Sequence, residues 1–152
     1  SDPLAPYPAR LLATDAARTS LKGFLTGSID VVLKLPGGGF VVVDYKTNRL
    51  PVLPDQELSV EHYHPDAMAE AMMQAHYPLQ ALLYCAALHR FLAWRLPDYS
   101  PGRHLGGVGY LFVRGMAGPE TPVVAGGRCG VFEWFPPTEL VVEVSDLLGG
   151  GQ

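Results

Sequence analysis

Asp30, Asp44 and Lys46 are the residues whose types and spacing could do chemistry. Each carboxylate sits in a run rich in β-branched and apolar residues, FLTGSIDVVLK over 24–34 and FVVVDYK over 40–46. Both runs read as strands. Between them, Leu35-Pro36-Gly37-Gly38-Gly39 reads as a turn, because proline stops the ladder and glycine permits positive φ. The two runs therefore make a β-hairpin. Side chains alternate along a strand, so Phe40, Val42, Asp44 and Lys46 share one face while Val41, Val43 and Tyr45 take the other. With the turn centred on Gly37, Asp30 falls directly opposite Asp44. Facing residues in an antiparallel pair have Cβ atoms roughly 4.5–5.5 Å apart, and two carboxylates at that distance repel. A shared proton, a basic residue or a divalent cation would have to compensate. A bulge would shift this register.

The plainer reading is an edge strand that carries charges for solubility, with Lys46 paired to Asp44. Against it stands Asp30, flanked by Ile29, Val31 and Val32 in a strand that reads as central, where a buried carboxylate needs a partner. The chemical reading is a Mg2+ site. That ion is usually held by one or two carboxylates, with waters and phosphate oxygens completing the octahedron. A lysine beside it can orient or deprotonate a water and offset charge on a phosphorane-like transition state. The Asp–x–Lys spacing alone is common; its place on a hairpin gives it weight.

The remaining elements follow from punctuation and periodicity. Residues 1–20 carry three prolines and read as a leader or linker, with a short helical piece over Ala9–Arg18. Asp66 reads as the N-cap of a helix through about His76, and Pro78 suits the first turn of a second helix that Pro97 ends. A strand is expected over Gly107–Arg114, an exposed Gly- and Pro-rich loop over 115–130, a short strand over Val131–Phe135 and a terminal helix over Pro137–Leu148. This order predicts an α/β (α+β) domain, a mixed β-sheet with flanking helices. On the second helix Gln80 and Tyr84 are four apart and share a face, where Gln can hydrogen-bond a base and Tyr can stack on one. Leu79, Leu82, Leu83, Ala86 and Ala87 are read as the apolar face that docks on the sheet. Met68, Met72 and Met73 read as packing, Cys85 as a buried helix residue, and His62 and His64 as exposed loop histidines rather than metal ligands.

The composition bounds the class. At 152 residues with 48% hydrophobic and 17% charged residues, the chain suits one core-forming domain. The net charge of −4 argues against a free-standing nucleic-acid binder, since neutralising phosphates needs a basic balance. Two cysteines are too few for a disulfide framework and suit a reducing, cytoplasmic setting. No apolar run reaches the roughly 18 residues of a membrane span, and no secretory signal is visible. The chain opens Ser1-Asp2-Pro3 without Met, as a piece of a longer protein would.

The motifs in order are G-S-I-D at 27–30, D-Y-K-T-N at 44–48, Y-P-L-Q-A-L-L-Y at 77–84 and G-G-V-G-Y-L-F-V-R-G at 106–115. This succession resembles the nuclease domain at the C-terminus of RecB, the exonuclease V β subunit and helicase–nuclease chain of bacterial RecBCD. The likeness is dense over about residues 21–116, and 21–152 are read as the RecB-like domain. It implies a restriction-endonuclease-like, PD-(D/E)xK core. It implies that Asp30 and Asp44 bind metal with the backbone carbonyl of Tyr45, that Lys46 is the catalytic lysine, and that Gln80 and Tyr84 contact DNA. It implies Mg2+-dependent cleavage of DNA, with Ca2+ able to occupy the same site. The partners it implies are RecC- and RecD-type subunits and the helicase domains of a parent chain, which would supply the grip that this acidic chain lacks. The family also draws a metal ligand from a histidine well upstream of the first strand, whereas the first histidine here is His62, so weak metal binding is expected of a fragment. The competing class is a decayed copy of the fold, used for docking or DNA guidance, in which Asp44 or Lys46 would be lost. An RNA-processing nuclease on the same fold is a third.

Overall fold

A computed structural model describes residues 2–15, 25–50, 53, 56–124 and 126–149. Its centre is a four-stranded mixed sheet in the order β1-β2-β3-β6, formed by β1 (Val31–Lys34), β2 (Phe40–Lys46), β3 (Leu105–Phe112) and β6 (Val131–Trp134). β1 and β2 are the antiparallel hairpin, β2 and β3 run parallel, and β6 returns antiparallel to β3. A parallel pair needs a long crossover. Here it carries α2 (Pro65–Gln74), α3 (Tyr77–Arg95) and α4 (Pro101–His104). α1 (Tyr7–Leu12) precedes the sheet and α5 (Thr138–Gly149) follows it, packed against α3.

The hairpin has the expected register, with Val31 opposite Val43 and Val32 opposite Val42. Its first strand is shorter than the 24–34 expected: it begins at Val31, residues 25–29 are not strand, and residue 24 lies outside the described residues. It is also an edge strand, not a central one, and Asp30 is exposed. The reason is non-local. β3 enters on the far side of β2, which makes β2 central and leaves β1 with one neighbour.

Parallel pairing sets Val42 beside Val108, Asp44 beside Tyr110 and Lys46 beside Phe112. One face of the sheet therefore carries Val42, Val108, Tyr110 and Phe112, each at most 2% exposed, with Asp44 and Lys46 among them. Met68 and Met72 of α2 pack in the same core. The buried stripe of α3 is Ala81, Cys85, Ala86, Leu88 and Leu92; of the expected face Ala86 is buried, Leu82 and Leu83 are half-buried, and Leu79 and Ala87 are exposed. The docking face is thus turned part-way from the one expected. The sheet already presents two large rings, and small side chains let the helix approach them.

Other boundaries also move. The N-cap of α2 is His64, whose side chain accepts from the Ala67 N–H at 3.4 Å; Asp66 lies one residue inside, after Pro65. The stretch 115–130 holds a two-stranded sheet, β4 (Val123–Val124) with β5 (Gly127–Arg128), and buries Thr121 and Cys129. Within 1–20, Leu4 and Tyr7 are buried in the core cluster, and Arg10 pairs with Glu70 at 2.8 Å. A tight backbone crossing closes the end of β3. Gly130 has φ +73°, and a Cβ there would lie 2.6 Å from the Gly115 carbonyl, so only glycine fits. The Gly130 carbonyl accepts from Phe112 at 2.8 Å, and its N–H donates to the Tyr63 carbonyl at 2.9 Å.

Candidate active site

The hairpin and the N-terminal part of α3 bring the sequence-predicted residues together. Asp30 stands one residue before β1, and its Oδ2 accepts from the Tyr45 N–H at 3.0 Å. This bond carries the hairpin pairing past the end of β1 and turns the Asp30 carboxylate toward the strand that bears Asp44. A residue's N–H and C=O leave a strand on the same side, so the Tyr45 carbonyl also faces the β1 side of β2. The Tyr45 ring is exposed.

Asp44 and Lys46 are buried, with residue exposures of 5% and 9%. Lys46 Nζ lies 2.6 Å from Asp44 Oδ2, but the contact lacks hydrogen-bond alignment, and that buried oxygen has no hydrogen bond among the described residues. The solubility reading therefore fails for this pair: it sits on a central strand in the core. Lys46 Nζ also donates to Gln80 Oε1 at 3.0 Å, and Gln80 Nε2 donates to the Tyr84 hydroxyl at 3.1 Å. So Gln80 and Tyr84 do share a face, and that face looks onto the lysine. Burial raises the Tyr84 phenol above its ordinary pKa; the nearby Asp44 and Asp30 carboxylates raise it further, against the Gln80 hydrogen bond.

Two rings complete the enclosure. Lys46 Nζ lies 3.9 Å from the Tyr77 ring centroid and 5.2 Å from that of Tyr110. The Tyr110 phenol is raised well above the tyrosine range, chiefly by burial and then by Asp44. Just beyond Lys46 the chain is pinned. Tyr63 donates to the Asn48 carbonyl at 2.8 Å, Tyr77 to Asn48 Oδ1 at 3.1 Å, and Arg114 Nε to the Thr47 carbonyl at 2.9 Å. The sequence reading missed Tyr110 and Asn48 as site residues. Alternation puts Tyr110 on one face of its strand, but only the β2–β3 register identifies that face with Asp44.

His62 and His64 serve the backbone. His62 Nδ1 accepts from the Ser59 N–H at 3.0 Å, and His64 caps α2. Among the described residues no group of three or more His, Cys, Asp or Glu side chains is placed to hold a metal. The oxygen donors along this edge of the hairpin are the Asp30 and Asp44 carboxylates and the Tyr45 carbonyl. The unbonded Oδ2 of Asp44 has an ammonium where a cation would otherwise serve. These are hard oxygen donors of the kind Mg2+ and Ca2+ accept, usually with waters in the remaining positions. The residues present fit such an ion.

The profile of the PD-(D/E)XK nuclease superfamily matches residues 4–128. The chain belongs to that superfamily. It is 56% identical over 151 residues to the RecBCD enzyme subunit RecB of Mycobacterium tuberculosis, which covers 99% of this chain and 13% of that protein. The RecB subunit of Mycolicibacterium smegmatis is 54% identical over 147 residues, 97% of this chain and 13% of the relative. That of Escherichia coli is 36% identical over 130 residues, 86% of this chain and 10% of the relative. The chain thus spans about 13% of the length of its mycobacterial relatives. PD-(D/E)XK nucleases generally use divalent metal ions. Among the described residues no helix is long and apolar enough to cross a membrane.

Proposed function

We propose that the chain is the nuclease domain of a RecB-like helicase–nuclease, hydrolysing DNA phosphodiester bonds during double-strand-break processing and recombinational repair. The observation that carries this reading is the buried Asp44–Lys46 pair on a central strand, with Asp30 bonded to the intervening Tyr45 N–H from the edge. A chain that had abandoned chemistry would gain by replacing such a pair with packed apolar residues, since a buried ion pair is weak support for stability. Asp30, Asp44 and the Tyr45 carbonyl are the proposed holders of Mg2+. Bound there, the cation would act as a Lewis acid on the phosphate and acidify water. Lys46 orients the attacking water for in-line displacement at phosphorus and stabilises the developing charge. Gln80 anchors Lys46 and, with Tyr84, faces the incoming DNA. The proposed partners are RecC- and RecD-type subunits and the helicase domains of a longer parent chain, in the cytoplasm. They would hold the DNA that a chain of net charge −4 grips poorly.

Calorimetric titration with Mg2+ and with Ca2+, on this chain and on Asp44→Ala, tests the metal assignment. Binding that disappears in the variant is the expected result. Cleavage of linear DNA by the full-length protein tests the activity, which Asp44→Ala should abolish. Metal-dependent cleavage that survives Asp44→Ala refutes the reading. Binding by neither protein, with no cleavage by the parent, would favour a docking or DNA-guiding module instead.

A further inference from the structure

We propose that Tyr77 and Tyr110 form an aromatic rest that holds the Lys46 ammonium beside Asp44, which makes both tyrosines positioning residues. The catalytic consequence rests on the nuclease reading above; the geometry does not.

A lysine is a point charge on a flexible four-carbon stem, and fixing it requires more than one partner. Its carboxylate partner here is poorly aligned for a hydrogen bond. Besides the hydrogen bond to Gln80 Oε1 at 3.0 Å, the ammonium meets a pair of nearly parallel rings, 10° apart in plane with centroids separated by 5.9 Å. Nζ lies 3.9 Å and 5.2 Å from their centroids, both inside the roughly 6 Å reach of a cation–π contact. The rings are themselves fixed. The Tyr77 hydroxyl donates to Asn48 Oδ1 at 3.1 Å. The Tyr110 hydroxyl lies 3.3 Å from both the Tyr77 carbonyl and Gln80 Oε1 as acceptors. Tyr77 opens α3, and Tyr110 sits beside Asp44 in the parallel ladder, so helix and sheet each supply one ring.

The choice of neutral rings has a chemical logic. A second carboxylate would also hold the lysine, but it would cancel the charge that the transition state needs. A ring face attracts the ammonium and leaves that charge in place. The rest also keeps Lys46 in position when the Asp44 carboxylate is engaged by something other than the lysine.

The test compares Tyr77→Leu, which removes a ring face, with Tyr77→Phe, which keeps it and loses only the Asn48 bond. Two readouts are needed. In the metal-free chain, the ε-methylene resonances of Lys46 should be displaced upfield by the ring faces in the unsubstituted protein and in Tyr77→Phe. They should return to the free-lysine position in Tyr77→Leu. In the full-length protein, Tyr77→Leu should lower kcat for metal-dependent DNA cleavage about 10-fold with KM unchanged, and Tyr77→Phe should restore most of it. Undisplaced Lys46 resonances in the unsubstituted protein overturn the rest, whether or not Tyr77→Leu folds. A Tyr77→Phe protein as slow as Tyr77→Leu overturns the positioning role. Displaced resonances in a full-length protein that cleaves no DNA with any divalent cation overturn the nuclease reading, and with it the catalytic use of a rest that is nonetheless present.

Discussion

The Asp44–Lys46 pair can be tested as a stability liability by a double-mutant cycle in the metal-free chain. Both side chains are nearly enclosed, at 10% exposure for Lys46 and 7% for Asp44. Removing one member of a buried pair leaves an uncompensated charge and costs about 3–5 kcal/mol, whereas replacing both by apolar groups is often neutral or stabilising. The two single losses should be unequal. Lys46→Met strands a carboxylate whose Oδ2 has no hydrogen bond, so the full cost of about 3–5 kcal/mol is expected. Asp44→Leu strands an ammonium that keeps its Gln80 bond at 3.0 Å and two ring faces. Cation–π contacts contribute about 0.5–2 kcal/mol, so this loss should come to about 1–3 kcal/mol. Asp44→Leu/Lys46→Met should then be at least as stable as the parent, with a coupling of about 3 kcal/mol or more. Urea denaturation gives these differences, provided the m-value stays constant. In thermal terms Lys46→Met should lower Tm by roughly 6–20 °C. Additive single effects, or a double variant less stable than both singles, would refute the argument that the pair is held against a folding cost.

Further outcomes follow from the same structure. Asp30→Ala removes one exposed hydrogen bond to Tyr45 and should cost no more than about 1 kcal/mol in urea denaturation, far less than Lys46→Met. Gly130→Ala forces a side chain into φ +73° and against the Gly115 carbonyl, so a loss above about 2 kcal/mol is expected by the same assay. Stability should fall in alkali. Burial pushes the Cys85 thiol up to about 12 from 9.0, so between those values the unfolded chain has released a proton that the native chain holds. That gives a loss of up to about 1.4 kcal/mol per pH unit from this group, visible as a falling Tm above pH 9 and flattened by Cys85→Ala.

The local half of the site was legible, and the non-local half was not. Alternation in FVVVDYK and the Pro-Gly turn carried the hairpin and its register, because each depends on neighbours in sequence. Pro78 and Pro97 bracketed α3 correctly, since proline acts on its own backbone. Which strand is central could not be read this way. A long apolar run made the first strand look interior, yet β3 pairs with β2 and leaves β1 at the edge. The same blindness hid Tyr110: its residue type and strand were plain, but its place beside Asp44 depends on a register set about 65 residues away. The docking face of α3 was legible only in part: Ala86 is buried as expected, but Ala81, Cys85, Leu88 and Leu92 fill the core while Leu79 and Ala87 stay exposed.

The edge and the centre divide the work of this site. Asp44 and Lys46 lie on a central strand just past the end of the β1 ladder, and their backbone is fixed by pairing with Tyr110 and Phe112 of β3. Such a position gives accuracy, but it buries charge. Asp30, on the edge and exposed, carries little desolvation cost and stays open to whatever approaches the hairpin. Its bond to the Tyr45 N–H ties the open half to the rigid half across the one place where the ladder has ended. The arrangement therefore leaves one carboxylate open to solvent while the other, with its lysine, is positioned by the core. A fold that needed only stability would have no use for that division, which is why the buried pair supports the proposal that this hairpin carries chemistry.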